Sequence, residues 1–250
     1  MLIGTGKNQT SELHLSIFLN LNMNFSKMKS NKILSMLIVL CIILVIVMYF
    51  RYRPYSWPTG LEALGCLVSI ILMATALLIL WILRDEIIND LQKRNVALGL
   101  GFGLLWTFEI SINNLIRPGL PLRDNIDNIF WAIIALLILI TAIHDAYQTN
   151  KFLNGVKSGF WSGIASGAVA CLTALIFVVF GMKYLLMDPV NIKEWTDIKA
   201  TENSPGMDVY FAYQTFAGAI MHLFILGFIM GLFLGIIGGF IGKTLHFSKK

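Results

Sequence analysis

Long apolar runs without charges constrain this chain more than any other feature. Windows of about 20 such residues are long enough for an α-helix to cross the hydrocarbon core of a bilayer. Because lipid offers no partners for backbone N–H and C=O groups, such runs cross as helices. The sequence therefore predicts an all-α, polytopic transmembrane helix bundle of about six spans. The predicted spans are residues 33–50, 62–83, 96–116, 128–147, 159–185 and 216–242.

Composition supports this class. Charged residues make up 13% of the chain and the mean hydropathy is +0.75, whereas soluble domains carry roughly 25% charged residues. We predict a cytoplasmic, partly flexible N-terminal tail at 1–32, and one transmembrane domain at 33–245. An extracytoplasmic loop at 186–215 lies within that domain. The basic residues flank the apolar runs, so the net charge of +5 indicates a lipid-bilayer partner and no nucleic acid.

The distribution of basic residues predicts the orientation. Of the 19 Lys and Arg residues, twelve fall on the side of the two termini and seven on the other. Loops rich in Lys and Arg stay in the cytoplasm. Both termini are therefore expected to be cytoplasmic, in a multi-pass protein of the plasma (inner) membrane.

Two glycine series, each with a period of four residues, lie in the last two spans. Small residues allow the close backbone approach that drives helix association in lipid. Both series are expected in the cytoplasmic halves of their spans, where they would pack against each other. The packing residues are Gly159, Gly163 and Gly167 in one span and Gly231, Gly235 and Gly239 in the other.

Polar residues gather in the opposite, outer half of the predicted bundle. Glu109 is a full charge within the third span, which is costly in a membrane. Glu109, Asn113 and Arg117 recur every four residues, so one helix face should present all three. Two interpretations follow: a local network in which Arg117 neutralises Glu109 through Asn113, or a ligand or proton site in a wet outward cavity. A span boundary placed too far along the chain would instead leave Glu109 at the headgroups.

Three histidine and aspartate residues also fall in or near spans. His222 lies about two turns inside the outer end of the last span. It is either a hydrogen-bonded packing residue or a member of a proton relay with Glu109. His144 and Asp145, near the inner end of the fourth span, are interpreted as an interfacial pair.

Familiar catalytic and metal patterns are missing from the sequence. Phe160 and Ile164 occupy the first position of the G-x-S-G element before Ser162 and Ser166. The sequence shows no H-E-x-x-H, P-loop, G-x-S-x-G or paired-cysteine metal pattern. We predict no metal site, no catalytic residue and no cofactor.

The leading hypothesis is a non-catalytic membrane protein that binds or transports a small solute in an outward-facing polar pocket. Its candidate pocket residues are Glu109, Asn113, Arg117 and His222. The alternative is a structural or regulatory subunit whose glycine-rich helix faces dock a partner membrane protein or a second copy. A third interpretation is an enzyme that acts on a lipid headgroup.

Overall fold

The computed structural model describes residues 30–52, 67–75, 78, 90–198 and 206–248. These residues form helices joined by short connections, and no strand occurs among them. The predicted all-α class is therefore confirmed. Nearly all of the predicted tail at 1–32 and much of the predicted second span lie outside the described residues.

Seven helices are labelled here in chain order, leaving aside a helical piece at 67–75. They are α1 Ser30–Arg51, α2 Asp90–Ile116, α3 Leu122–Thr149, α4 Phe152–Phe180, α5 Met182–Leu186, α6 Pro189–Ile198 and α7 Met207–Phe247. Within the described residues, α1, α2, α3, α4 and α7 are long and apolar enough to cross a membrane. Five candidate spans thus support the membrane-protein class, while the sixth span and the orientation stay predictions.

Helices α2, α3 and α4 begin six or seven residues before the predicted spans, at Asp90, Leu122 and Phe152. Two further differences lie on either side of the expected extracytoplasmic loop. The last helix begins at Met207, not at 216. Residues 207–215, expected in the extracytoplasmic loop, therefore form the first turns of α7. The remainder of that loop contains α6. The expected fifth span to residue 185 is interrupted at Gly181, after which α5 begins.

Helix α4 is the centre of the bundle. In its most apolar stretch 61% of the residues are buried, against 22–39% in the other candidate spans. It contacts α1, α2, α3 and α7. Its buried face is rich in glycine, serine and alanine, so four helices can approach its backbone closely.

The two glycine series face each other across α4 and α7. The facing pairs are Gly155 with Gly239, Gly159 with Gly235, Gly163 with Gly231, and Gly167 with Gly227. A methyl group added at Gly159 would lie 2.5 Å from the Cα atom of Gly235, well inside the contact distance of about 3.5–4.0 Å between carbon atoms. The helices are antiparallel, and only hydrogen atoms fit between their backbones.

Glycines also join α2 to α4 and α7 to α3. Gly99 lies against the backbone of Ser162, and Gly103 lies against Val169. On another face of α7, Gly238 and Gly242 lie against the backbone of α3 around Ile143. Small residues thus determine three of the helix contacts at the end of the bundle that carries the 149–152 connection.

Candidate polar cavity

A cavity of about 380 Å³ opens at the end of the bundle formed by the connection between α2 and α3. This cavity, called the polar cavity below, lies between helices α2 to α7. Its ionisable lining residues are Glu109, Arg123, Asp124, Asp127, Glu194 and His222. Its neutral lining includes Asn113, Asn114, Asn191, Gln214, Leu185 and Phe211.

The polar cavity begins where the glycine contact between α4 and α7 ends. The last glycine of the α4 series, Gly167, packs against the backbone carbonyl of His222. One helical turn further out, Gly218 and Ala219 line the cavity. A Cβ atom at Gly218 would have no neighbour within 4 Å, so the missing side chain leaves open space. The same residue type closes one half of the bundle and opens the other.

Glu109 forms part of the cavity wall, and the residue is only 6% exposed. The amide nitrogen of Asn113 donates to Glu109 Oε1 at 2.5 Å and to Asp127 Oδ1 at 2.7 Å. One side-chain amide therefore bridges carboxylates from α2 and α3. Within the described residues, no donor reaches Glu109 Oε2 or Asn113 Oδ1.

Arg117, a predicted pocket residue, is not in the cavity lining. Its guanidinium donates to the carbonyl of Met187 at 3.1 Å. The reason lies in the backbone. The last turn of α2, Ile112–Ile116, is a π-helix, and Arg117 itself is left-handed with φ 58°. The four-residue period that would align Arg117 with Asn113 ends in that wider turn, so Arg117 does not neutralise Glu109 through Asn113.

Among the residues that the structure describes, Arg123 is the basic residue that lines the polar cavity. Its guanidinium lies 2.8 Å from Asp188 Oδ2, and Asp188 is fully buried. Asp188 also accepts from the backbone N–H of Val190 at 2.9 Å. The positive charge of Arg123 is thus paired with a carboxylate outside the predicted site.

His222, a predicted site residue, does line the polar cavity. Its Nδ1 lies 2.7 Å from the carbonyl oxygen of Gly218. Because a carbonyl can only accept, Nδ1 carries the hydrogen, and Nε2 of the neutral ring is an acceptor. The ring also packs edge-on against Trp106, with 4.9 Å between centroids. His222 therefore packs against Trp106 and lines the same cavity as Glu109.

Helix α6, which lies within the predicted loop at 186–215, contributes a wall of the polar cavity. Glu194 Oε1 accepts from the hydroxyl of Tyr210 and from the amide of Gln214, both at 2.8 Å. These bonds tie α6 to the first turns of α7. Both donors are neutral groups, so neither of these two bonds pairs Glu194 with a cation.

A second polar cluster lies at the opposite end of the bundle. Asp145 is fully buried and is contacted by the Arg94 guanidinium, the Asn95 amide at 2.9 Å and the Ser158 hydroxyl. His144, the expected partner, is a half-exposed neighbour at 3.1 Å. The predicted pair of His144 and Asp145 is therefore present, and its position at the membrane interface stays a prediction. Because α2 begins at Asp90, Arg94 lies in the bundle and joins this pair.

The sequence carried partial signals for the residues that were missed. Asp127 follows Arg123 by four residues at the start of α3, a spacing that places both on one helix face. Arg94 and Asn95 precede the apolar part of α2, but only the contact with α3 shows their partner. Among the described residues, no group of three histidine, cysteine or carboxylate side chains is placed to hold a metal ion.

Comparisons with protein-family models, curated proteins and solved structures find no match to this chain.

Proposed function

We propose that this protein is a multi-pass membrane protein that binds a small solute in the polar cavity. The observation that carries the proposal is Glu109, which is only 6% exposed yet has a carboxylate oxygen, Oε2, without a donor among the described residues, at the wall of a space of about 380 Å³. Burying a charge without full pairing is costly. A solute that completes the hydrogen bonds accounts for the arrangement.

We further propose that the polar cavity faces outward and that both termini are cytoplasmic, in the plasma membrane. The support is the unequal distribution of Lys and Arg between the two sides of the bundle. The glycine contact closes the other half of the bundle between α4 and α7. Solute therefore enters from one face, and its passage across the membrane requires that α4 and α7 separate.

Docking of a partner through the glycine faces has less support. All the glycines of the two series are buried against each other within one chain. Gly101, by contrast, lies on the exposed side of α2 with no neighbour within 4 Å of its Cβ position. A partner protein or a second copy would have to use a face other than the two series.

A cavity-filling variant tests the binding site. Gly218→Leu inserts a side chain at the wall of the polar cavity, at a position where the added Cβ would have no neighbour within 4 Å. Gly101→Leu makes the same change on the outer surface of α2 and is the matched control. We would measure the thermal stability of purified protein in detergent against a panel of neutral, anionic and cationic solutes.

The proposal expects at least one solute class to raise the unfolding temperature of the wild type and of Gly101→Leu. Gly218→Leu should lose that response while remaining monodisperse in gel filtration. Solutes that stabilise both variants equally would place binding elsewhere and overturn the proposal. A panel in which nothing stabilises the wild type would overturn it as well.

A further inference from the structure

We infer that the solute is a small organic cation whose protonated amine sits between Glu109 and Asp127 in the polar cavity. This inference rests on the proposed solute-binding function and names the chemical class of the solute. Three observations point to it: the unused hydrogen-bonding atoms, the balance of charges, and the shape of the cavity.

The unused hydrogen-bonding atoms at the cavity wall are acceptors. Glu109 Oε2 and Asn113 Oδ1 are buried oxygen atoms with no donor within the described part of the chain. The Asn113 amide nitrogen has already given its hydrogens to the two carboxylates. When no proton is shared between Glu109 and Asp127, a solute completes this site by supplying N–H or O–H donors. An ammonium group has up to three donors and no acceptor.

The charges around the polar cavity are unbalanced. In the described ranges, the carboxylates of Glu109, Asp127 and Glu194 form no ion pair with Lys or Arg. Arg123 lines the same cavity and attracts Glu109, but its own ion pair is with Asp188. Glu109 and Asp127 are close enough to share a hydrogen bond if one of them is protonated. Two carboxylates so close cannot both be charged at low cost. Either a shared proton or a cation between them removes the repulsion.

The size and lining of the cavity favour an organic cation over a bare ion. A volume of about 380 Å³ falls in the range of small-molecule sites, which is about 300–1,000 Å³. Leu185, Phe211 and Ala219 line the same space as the carboxylates. They offer apolar surface to the body of a molecule whose charged end meets Glu109. Hydrogen bonds between charged partners are roughly twice as strong as neutral ones, which makes the charged end the anchor.

Matched probes separate charge from shape. Benzylammonium and butylammonium would be compared with benzyl alcohol and butanol, which are similar in size but neutral. Tetramethylammonium keeps the charge but has no N–H donor, and NaCl and MgCl₂ test inorganic cations. Binding would be measured by calorimetry and by thermal stabilisation of the full-length protein in detergent, at constant ionic strength.

Two variants complete the experiment. Glu109→Gln keeps the shape of the side chain but removes its charge, and Asp90→Asn changes an exposed acid at the far end of the bundle. The inference expects primary ammonium probes to bind wild type and Asp90→Asn with the same Kd. In Glu109→Gln the Kd for these probes should rise at least tenfold. Without a probe, the unfolding temperature of this variant should not fall, because the repulsion between Glu109 and Asp127 is relieved.

The outcomes distinguish the inference from the function on which it rests. Neutral or anionic solutes that bind wild type, fail in Gly218→Leu and persist in Glu109→Gln would overturn the cation inference alone. Binding of NaCl or MgCl₂ without ammonium binding would overturn it in favour of an inorganic ion. Equal ammonium affinity in wild type and Glu109→Gln would overturn it too. The repulsion between Glu109 and Asp127 in the wild type would then be relieved by a shared proton and not by the solute. No binding of any solute would overturn both proposals.

Discussion

Adding one methyl group to the glycine contact between α4 and α7 tests the fold most directly. In Gly159→Ala the new Cβ would lie 2.5 Å from the Cα of Gly235 and 2.6 Å from the carbonyl oxygen of Gly231. Both are backbone atoms and cannot rotate away. Restoring ordinary carbon contacts of about 3.5 Å requires the helices to move apart by about 1 Å, which loosens the whole series.

The size of the effect follows from a matched pair of variants. Gly→Ala in a helix interior gains up to about 1 kcal/mol of helix propensity, and Gly101→Ala gains the same without any neighbour within 4 Å. The difference between the two variants therefore isolates the steric cost. Overpacking of this kind costs about 1–3 kcal/mol. At about 2–4 °C per kcal/mol for a chain of this size, Gly159→Ala should unfold about 2–12 °C below Gly101→Ala.

The assay is thermal unfolding of the two purified variants and the wild type in one detergent at one heating rate. Gly163→Leu or Gly235→Leu should extend the effect, because a much larger side chain enters the same contact. If Gly159→Ala and Gly101→Ala unfold at the same temperature, the helices do not approach as closely as the glycine contact requires. The packing argument would then be refuted.

The buried ion pair and the orientation give two more tests. Asp145→Ala leaves the Arg94 guanidinium without its buried carboxylate, so we expect the free energy of unfolding to fall by about 3–5 kcal/mol. Lys93→Met, which removes an ion pair on the helix surface, should change thermal stability little, and equal losses in both variants would contradict the buried network. For the orientation, a membrane-impermeant maleimide added to intact cells should label Gly119→Cys beside the polar cavity and spare Lys151→Cys in the α3–α4 connection, with the native protein as background. The reverse pattern would invert the proposed topology.

The sequence by itself determined the class of this protein. Runs of about 20 apolar residues can satisfy their backbone groups only as helices in lipid, and this property needs no tertiary contact. It also indicated the close approach of α4 and α7, because glycine spaced by four residues marks one face of a helix. Glu109, Asn113 and His222 stood out as polar residues within apolar segments.

Only the tertiary structure decided which polar groups meet. Arg117 follows Asn113 by four residues, yet a π-turn and a left-handed backbone carry it to Met187, and Arg123 from the next helix lines the polar cavity in its place. Asp145 is adjacent in sequence to His144 but is buried against Arg94, 51 residues away. The physical reason is that burial in a membrane is a property of single segments, whereas the partner of a charge depends on the register between helices, and that register is determined by packing.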